Sequence, residues 1–108
     1  MQMITITGKQ ALHGRIRPAA AKNSTLPLLA ATLLCRGPCR LQEVPALADV
    51  TTSLALLQAV GADVRRCGAD LCTRPVQTLC GEIPESLAGA MRSSVFYLAP
   101  LLCRTGYC

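Results

Sequence analysis

A nearly uninterrupted apolar segment, Leu-Pro-Leu-Leu-Ala-Ala-Thr-Leu-Leu-Cys at residues 26–35, constrains the fold more than any other part of the sequence. A helix with this composition is apolar almost all round, and such a helix needs burial on more than one side. The segment is about half the length that a helix needs to cross a bilayer. We therefore expect a buried helix in a layered domain, with no transmembrane span and no membrane partner.

Pro27 indicates where this helix begins. Because proline has no N–H group, it fits the first turn, where the amides lack intrahelical acceptors. This predicts Ser24 as the N-cap and Thr25 as the first helical residue, with Lys22 and Asn23 just outside the cap. An ammonium, a carboxamide and free helix amides together suit a phosphate or a carboxylate. The alternative is an ordinary capped helix preceded by a solvated lysine.

Alternating apolar and polar residues, bounded by glycine and proline, predict the strands of a small sheet. The predicted strands are residues 3–7, 12–17, 39–44, 62–66 and 71–74. Gly68 joins the last two strands as a hairpin.

Three helices are predicted between and after these strands. The first begins at Thr25, the second follows the N-cap Asp49, and the third begins at residue 89 or 90. Gly61 is the predicted C-cap of the second helix, and Pro100 is expected to kink the third. From residue 12 to residue 74 the order is strand-helix-strand-helix-strand-strand, which predicts an α/β (α+β) fold with the helices against one sheet.

Arg92 falls in the first turn of the third predicted helix, where the helix dipole disfavours a cation. A bound anion would explain this position, and Ser93 and Ser94 would either cap the helix or donate to the same anion. The alternative is that Arg92 points into water or pairs with Glu82 or Glu85.

The charge distribution argues against a nucleic-acid partner. The formal net charge is +5, but the basic residues are scattered, and aromatic residues make up only 3 % of the 108 residues. Nucleic-acid-binding proteins concentrate cations on one element and, for single strands, interleave aromatic residues for stacking. The excess charge is as compatible with small phosphorylated ligands.

The cysteines favour a reduced, cytoplasmic protein over a secreted or zinc-binding one. There are seven, an odd number, with no Cys-x-x-Cys pair, and the one histidine, His13, is remote from all of them in sequence. This spacing does not match that of zinc ligands or of a disulfide framework. The first residues also lack the continuous apolar stretch of a secretory signal.

Several motifs together resemble one enzyme family. They are Lys22-Asn23, the Leu-Pro that follows, Val44-Pro45 with Asp49, Leu-Gln-Ala-Val-Gly-Ala-Asp-Val at residues 57–64, and Met91-Arg92-Ser93-Ser94. The sequence resembles the UDP-N-acetylglucosamine 1-carboxyvinyltransferase family, the enolpyruvyl transferases that open bacterial peptidoglycan synthesis. The resemblance covers essentially all of this chain but only about the first quarter of the family's length.

The resemblance implies a fold, a reaction and ligand contacts. The family fold has two domains built from repeated strand-helix-strand-helix-strand-strand units. Residues 1–108 would form a single incomplete unit, with residues 1–21 packing with the second domain and residues 22–108 forming the front of the first. Lys22 and Asn23 would contact phosphoenolpyruvate, and Arg92 would lie on the UDP-sugar side. The enolpyruvyl group would pass to the sugar 3-hydroxyl with loss of phosphate, without a metal or organic cofactor.

The sequence also departs from the family pattern. No cysteine here lies in the Gly-Gly-Cys context of the family's mobile catalytic loop, so the resemblance assigns no catalytic residue to this chain. Residues 17–21 are Arg-Pro-Ala-Ala-Ala, where the family usually has Ser-Gly-Ala. We expect this chain to be the front part of a larger protein, inactive alone and prone to self-associate through exposed apolar faces. The alternatives are a non-catalytic basic anion-binding module and a structural remnant of the fold.

Overall fold

The computed structural model describes residues 2–108, and its helices and strands lie between residues 22 and 105. The α-helices are α1 (Lys22–Ala31), α2 (Ala48–Ala59), α3 (Glu85–Ala88) and α4 (Leu98–Thr105). Two 3₁₀-helices span Thr32–Leu34 and Arg92–Tyr97, and the strands are β1 (Cys39–Leu41), β2 (Asp63–Cys67) and β3 (Asp70–Arg74). The predicted mixed α/β architecture is confirmed. Even the longest helix, α2, has 12 residues, and no helix within residues 2–108 has the length and apolarity to cross a membrane.

The two leading strands predicted at residues 3–7 and 12–17 do not form. Residues 2–21 carry no regular secondary structure, and the side chains of Met3, Ile4 and Ile6 are 85–89 % exposed. A strand needs a neighbour for its backbone hydrogen bonds and for its apolar face. No strand within the described chain pairs with this segment, so its alternating pattern stays unpaired.

The three remaining strands form one antiparallel sheet in the order β1-β3-β2. The predicted hairpin is confirmed, because Cys67 pairs with Asp70 across a two-residue turn. Gly68 in that turn has φ +64°, a conformation that favours glycine. Leu71 and Thr73 point from β3 into the core, and the helices pack over this face.

Helix α1 is buried on one side only within this chain. Leu26, Leu29 and Ala30 are at most 4 % exposed and pack against α2 and the 92–97 helix. Leu28 and Leu34, by contrast, are 52 % and 50 % exposed. The prediction of burial on more than one side is therefore wrong for residues 2–108, because these elements cover a single face of α1.

The start of α1 lies earlier than predicted. The helix begins at Lys22, and Ala21 takes the N-cap position with extended φ and ψ of −88° and 131°. The Ser24 hydroxyl donates to the Ala21 carbonyl at 3.2 Å instead of accepting from a helix amide. Pro27 is consequently the sixth helical residue, not the third, and cannot donate to the Asn23 carbonyl one turn before it. The predicted Ser24 cap is wrong.

Two further helix boundaries differ from the predictions. Leu47, not Asp49, occupies the N-cap of α2, which leaves Asp49 as its second residue. The predicted third helix is divided into the 3₁₀-helix 92–97 and α4, with α3 as a separate turn before them. The helix type changes from 3₁₀ to α at Leu98, two residues before Pro100, which lies in the first turn of α4.

A buried hydrogen bond joins α2 to the 92–97 helix. The hydroxyl groups of Ser53 and Tyr97 contact each other, and both side chains are fully buried. Because neither hydroxyl reaches water, each depends on the other for its hydrogen bond. This contact fixes the relation between two of the elements that surround α1.

We expect Tyr97→Phe and Ser53→Ala each to lower the free energy of unfolding by about 1–3 kcal/mol, because each leaves the other hydroxyl unpaired in the core. The double variant should lose less than the sum of the two single losses, since it removes both polar groups. Urea unfolding followed by circular dichroism measures this double-mutant cycle. Fully additive losses would contradict the pairing.

Burial raises the pKa of Tyr97 to about 12, and the Ser53 hydrogen bond offsets part of this rise. An unfolded tyrosine ionises near pH ~10. Between these two values the unfolded chain binds fewer protons than the folded one, so stability is complete below pH ~10 and falls by about 2–3 kcal/mol towards pH 12. Between these two pH values the unfolding free energy of the unchanged chain should fall more steeply than that of the Tyr97→Phe variant. Identical pH profiles for the two proteins would refute the assignment.

Candidate functional site

A cavity of about 510 Å³ opens where the N-termini of α1 and α2 meet the segment at residues 91–96. This volume falls within the range of roughly 300–1,000 Å³ that is typical of small-molecule sites. All three residues that the sequence singled out for ligand contact line it. The complete lining is Lys22, Asn23, Leu26, Asp49, Met91, Arg92, Ser93, Val95 and Phe96.

Lys22 enters the cavity as the first residue of α1. Its ammonium Nζ lies 2.9 Å from Asp49 Oδ2 at the start of α2. The dipole of α1 disfavours a cation at this end, whereas the dipole of α2 favours the Asp49 carboxylate. The ion pair therefore offsets the unfavourable position of Lys22. Both side chains stay partly open to solvent, at 47 % and 36 %.

Asn23 is the second residue of α1 and presents an exposed carboxamide to the same cavity. The first helical hydrogen bond of α1 runs from the Thr25 amide to the Ala21 carbonyl at 3.1 Å. The amides of residues 22–24 precede this bond and stand at the positive end of the helix. The polar wall of the cavity thus carries an ammonium, a carboxamide and the start of a helix dipole.

Arg92 faces Lys22 and Asn23 from the start of the 3₁₀-helix 92–97. It is exposed, and among residues 2–108 it forms no ion pair with Glu82, Glu85 or any other carboxylate. The alternative of a Glu82 or Glu85 partner is therefore wrong. The guanidinium remains free to bind a ligand.

The two serines after Arg92 differ in availability. Ser93 is half-buried and lines the cavity. The Ser94 hydroxyl donates to the Ala88 carbonyl at 2.8 Å and is not part of the lining. Donation to an anion is therefore wrong for Ser94, because the Ala88 carbonyl accepts its hydrogen bond.

The opposite wall of the cavity is apolar and was not predicted. Leu26 and Met91 are buried beneath it, and Val95 and Phe96 are 63 % and 44 % exposed at its rim. Leu26 belongs to the apolar segment at residues 26–35, and the other three fall in the third predicted helix. Periodicity does not distinguish a core position from a cavity wall.

The lining combines two cations, one carboxylate and an apolar wall, which gives the cavity a net positive charge. Such a site suits an anion that also carries an apolar or ring-shaped part. The role of Asp49 was missed because a residue in the first turn of a helix resembles a cap in the sequence. Its partner Lys22 lies 27 positions away, beyond the reach of any local pattern.

The cysteines and the histidine take no part in this cavity. All seven cysteines are free thiols, and none lines the cavity. His13 is exposed in the segment before α1. Within residues 2–108 no group of three histidine, cysteine, aspartate or glutamate residues is placed to hold a metal ion.

A family model agrees with the resemblance seen in the sequence. The model for EPSP synthase (3-phosphoshikimate 1-carboxyvinyltransferase) matches residues 6–107. The match includes α1, the sheet and every residue that lines the cavity.

Curated relatives carry the name UDP-N-acetylglucosamine 1-carboxyvinyltransferase. The protein from Myxococcus xanthus is 43 % identical over 98 % of this chain and 26 % of its own length. A protein from Carboxydothermus hydrogenoformans named UDP-N-acetylglucosamine 1-carboxyvinyltransferase 2 is 41 % identical over 98 % of this chain and 25 % of its own length. The chain therefore spans about a quarter of the length of the curated relatives it matches.

A solved structure supports the fold. The enolpyruvyl transferase NikO from Streptomyces tendae matches with a TM-score of 0.75 at 24 % identity, over 88 % of this chain and 22 % of that chain. Together with the family match, these similarities confirm the resemblance to the N-terminal part of UDP-N-acetylglucosamine 1-carboxyvinyltransferases. The chain belongs to the EPSP synthase (3-phosphoshikimate 1-carboxyvinyltransferase) family.

Proposed function

We propose that this chain forms part of a transferase that moves the enolpyruvyl group of phosphoenolpyruvate to the 3-hydroxyl of UDP-N-acetylglucosamine, the first committed step of peptidoglycan synthesis. One observation carries the proposal: Lys22, Asn23 and Arg92 line a single cavity. The names of the relatives from Myxococcus xanthus and Carboxydothermus hydrogenoformans support the choice of UDP-sugar.

Lys22 and Asn23 are the proposed phosphoenolpyruvate contacts. The ligand carries a phosphate and a carboxylate, and both are best held by charge-assisted donors. The Lys22 ammonium has three donors, of which Asp49 takes one. The Asn23 carboxamide adds neutral donors beside it, and the positive end of α1 reinforces both.

Arg92 is the proposed contact on the UDP-sugar side. Its planar guanidinium suits a diphosphate or a sugar oxygen, because it offers several donors in one plane. Val95 and Phe96 lie close by on the apolar wall and suit the less polar face of a sugar ring.

The proposed reaction adds the sugar 3-hydroxyl to C2 of phosphoenolpyruvate and then expels inorganic phosphate. A cationic cavity lowers the barrier by stabilising negative charge on the phosphate as it leaves. The proton transfers need a general acid and a general base, and we assign neither role to a residue of this chain. We propose no metal or organic cofactor for this chemistry.

The proposal also covers the domain packing and the cellular location of the protein. We propose that residues 1–21 pack with a second domain and that residues 22–108 form the front of the first. The exposed side chains of Leu12 and Ile16, at 92 % and 93 %, support a packing partner for the leading segment. The seven free thiols support a cytoplasmic location. The proposed reaction implies a role in cell-wall biogenesis, and hence in cell shape and the cell cycle.

Lys22→Ala should abolish phosphoenolpyruvate binding, whereas Lys9→Ala should leave it unchanged. Lys9 is the matched control, because it is the other lysine of the chain and lies in the exposed leading segment. A few charge-assisted hydrogen bonds give a Kd on the order of 1 mM, which NMR shift titration with phosphoenolpyruvate measures. Equal effects of the two variants would overturn the assignment of Lys22.

Arg92→Ala should weaken binding of UDP-N-acetylglucosamine about tenfold or more, as expected for the loss of charge-assisted hydrogen bonds. Its effect on phosphoenolpyruvate should be smaller, since Lys22 and Asn23 hold that ligand. Arg36→Ala is the control, because Arg36 is exposed and lies outside the cavity. The same NMR titration, run separately with each ligand, tests this. A larger loss for phosphoenolpyruvate than for the UDP-sugar would contradict the division of roles.

A further inference from the structure

Asp49 is the one carboxylate among the nine residues that line the cavity. A negative charge beside an anion site weakens the anion's binding unless the carboxylate serves another purpose. Stability does not explain its presence, because a half-exposed ion pair contributes only about 0–1 kcal/mol to folding. Its contact with Lys22 at 2.9 Å points to a role in the geometry of the cavity.

The lysine side chain needs such a partner. Four rotatable bonds separate the ammonium from the backbone, so a free Lys22 would sample many positions in and out of the cavity. Helix α1 fixes the position of the Lys22 Cα but not that of the ammonium group. Asp49, held in the first turn of α2, fixes the far end of the side chain and still leaves two ammonium donors for a ligand.

The other three ion pairs of residues 2–108 differ from this one. They join Arg17 to Glu43, Arg40 to Asp70 and Arg65 to Asp63, and none of these residues lines the cavity. Each uses an arginine. The Lys22–Asp49 pair alone links the starts of two helices at the mouth of the candidate site.

We propose that Asp49 is a positioning residue: it holds the Lys22 ammonium in the cavity in the orientation that receives the anion. This inference rests on the proposed function for the identity of the anion, phosphoenolpyruvate. The geometric relation between Asp49 and Lys22 is independent of that identity. Pre-organising one long side chain removes an ordering cost that the ligand would otherwise bear.

The test is Asp49→Asn, measured by two methods on the 108-residue chain. Neutralising Asp49 makes the cavity more positive, so charge alone predicts tighter binding of phosphoenolpyruvate. Positioning predicts the opposite: binding weaker by about fivefold, the range expected when a side chain must be ordered by the ligand. Asp49→Glu should recover part of the loss, because it keeps the carboxylate.

The second method needs no ligand. The chain has two lysines, so ¹H–¹⁵N spectra of lysine ammonium groups at slightly acidic pH contain two such side-chain signals, and Lys9→Ala identifies that of Lys22. In Asp49→Asn the Lys22 signal should broaden or disappear, because the group loses its partner and exchanges protons faster. Asp63→Asn is the matched control, since Asp63 pairs with Arg65 outside the cavity and should change neither result.

The outcomes separate the two proposals. An unchanged Lys22 signal in Asp49→Asn, or phosphoenolpyruvate binding as tight as in the unchanged chain or tighter, overturns the positioning role. Failure of the unchanged chain to bind phosphoenolpyruvate would instead contradict the proposed contacts of Lys22 and Asn23 with that ligand. The ligand-free lysine spectra would still decide whether Asp49 positions Lys22.

Discussion

The packing of α1 against α2 and the 92–97 helix is the constraint on which the cavity depends. Leu26 belongs both to the hydrophobic core and to the cavity lining, and only 4 % of it is exposed. It lies four residues after Lys22, on the same side of the helix. Burial of Leu26 therefore directs Lys22 towards the start of α2, and the Ser53–Tyr97 contact keeps the two facing elements together. The hydrophobic core and the polar wall are two parts of one arrangement.

Net charge alone does not locate the site, because several of the basic residues have partners elsewhere in the fold. Arg40 pairs with Asp70 across the sheet, and Arg104 donates to the carbonyls of Leu33 and Val76, which ties α4 to the end of the first helical segment. Lys22 and Arg92 differ from these in their placement at helix starts, where the dipole opposes them. A cation at such a position needs a nearby negative group. Asp49 is the negative group beside Lys22. Arg92 has no carboxylate partner among the described residues, so an anionic ligand could supply the negative group there.

The sequence singled out Lys22, Asn23 and Arg92 as candidate ligand contacts, and the structure brings all three to one cavity. The details of the helix ends were wrong for a physical reason. Serine and aspartate are good caps, but both also form other hydrogen bonds and ion pairs. Ser24 donates to a carbonyl and Asp49 pairs with a lysine, and the N-caps lie three residues earlier in α1 and two residues earlier in α2. Cap propensity predicted that a helix begins near Ser24 and another near Asp49, but it did not predict the residue at which each begins.

The predictions of α2 and of the β2–β3 hairpin, whose bonding partners are close in sequence, were confirmed, whereas the strands predicted at residues 3–7 and 12–17 were wrong. Helix α2 closes its own hydrogen bonds, and β2 meets β3 across a two-residue turn, so local patterns determined both. Residues 3–7 show an equally clear alternation, yet a strand has no bonds of its own and forms only beside a partner. The Lys22–Asp49 contact escaped prediction for the same reason, because a pattern records what one residue prefers and not which distant residue it meets. Functional sites are built largely from such distant contacts, and a sequence therefore reveals the residues of a site more readily than the interactions that orient them.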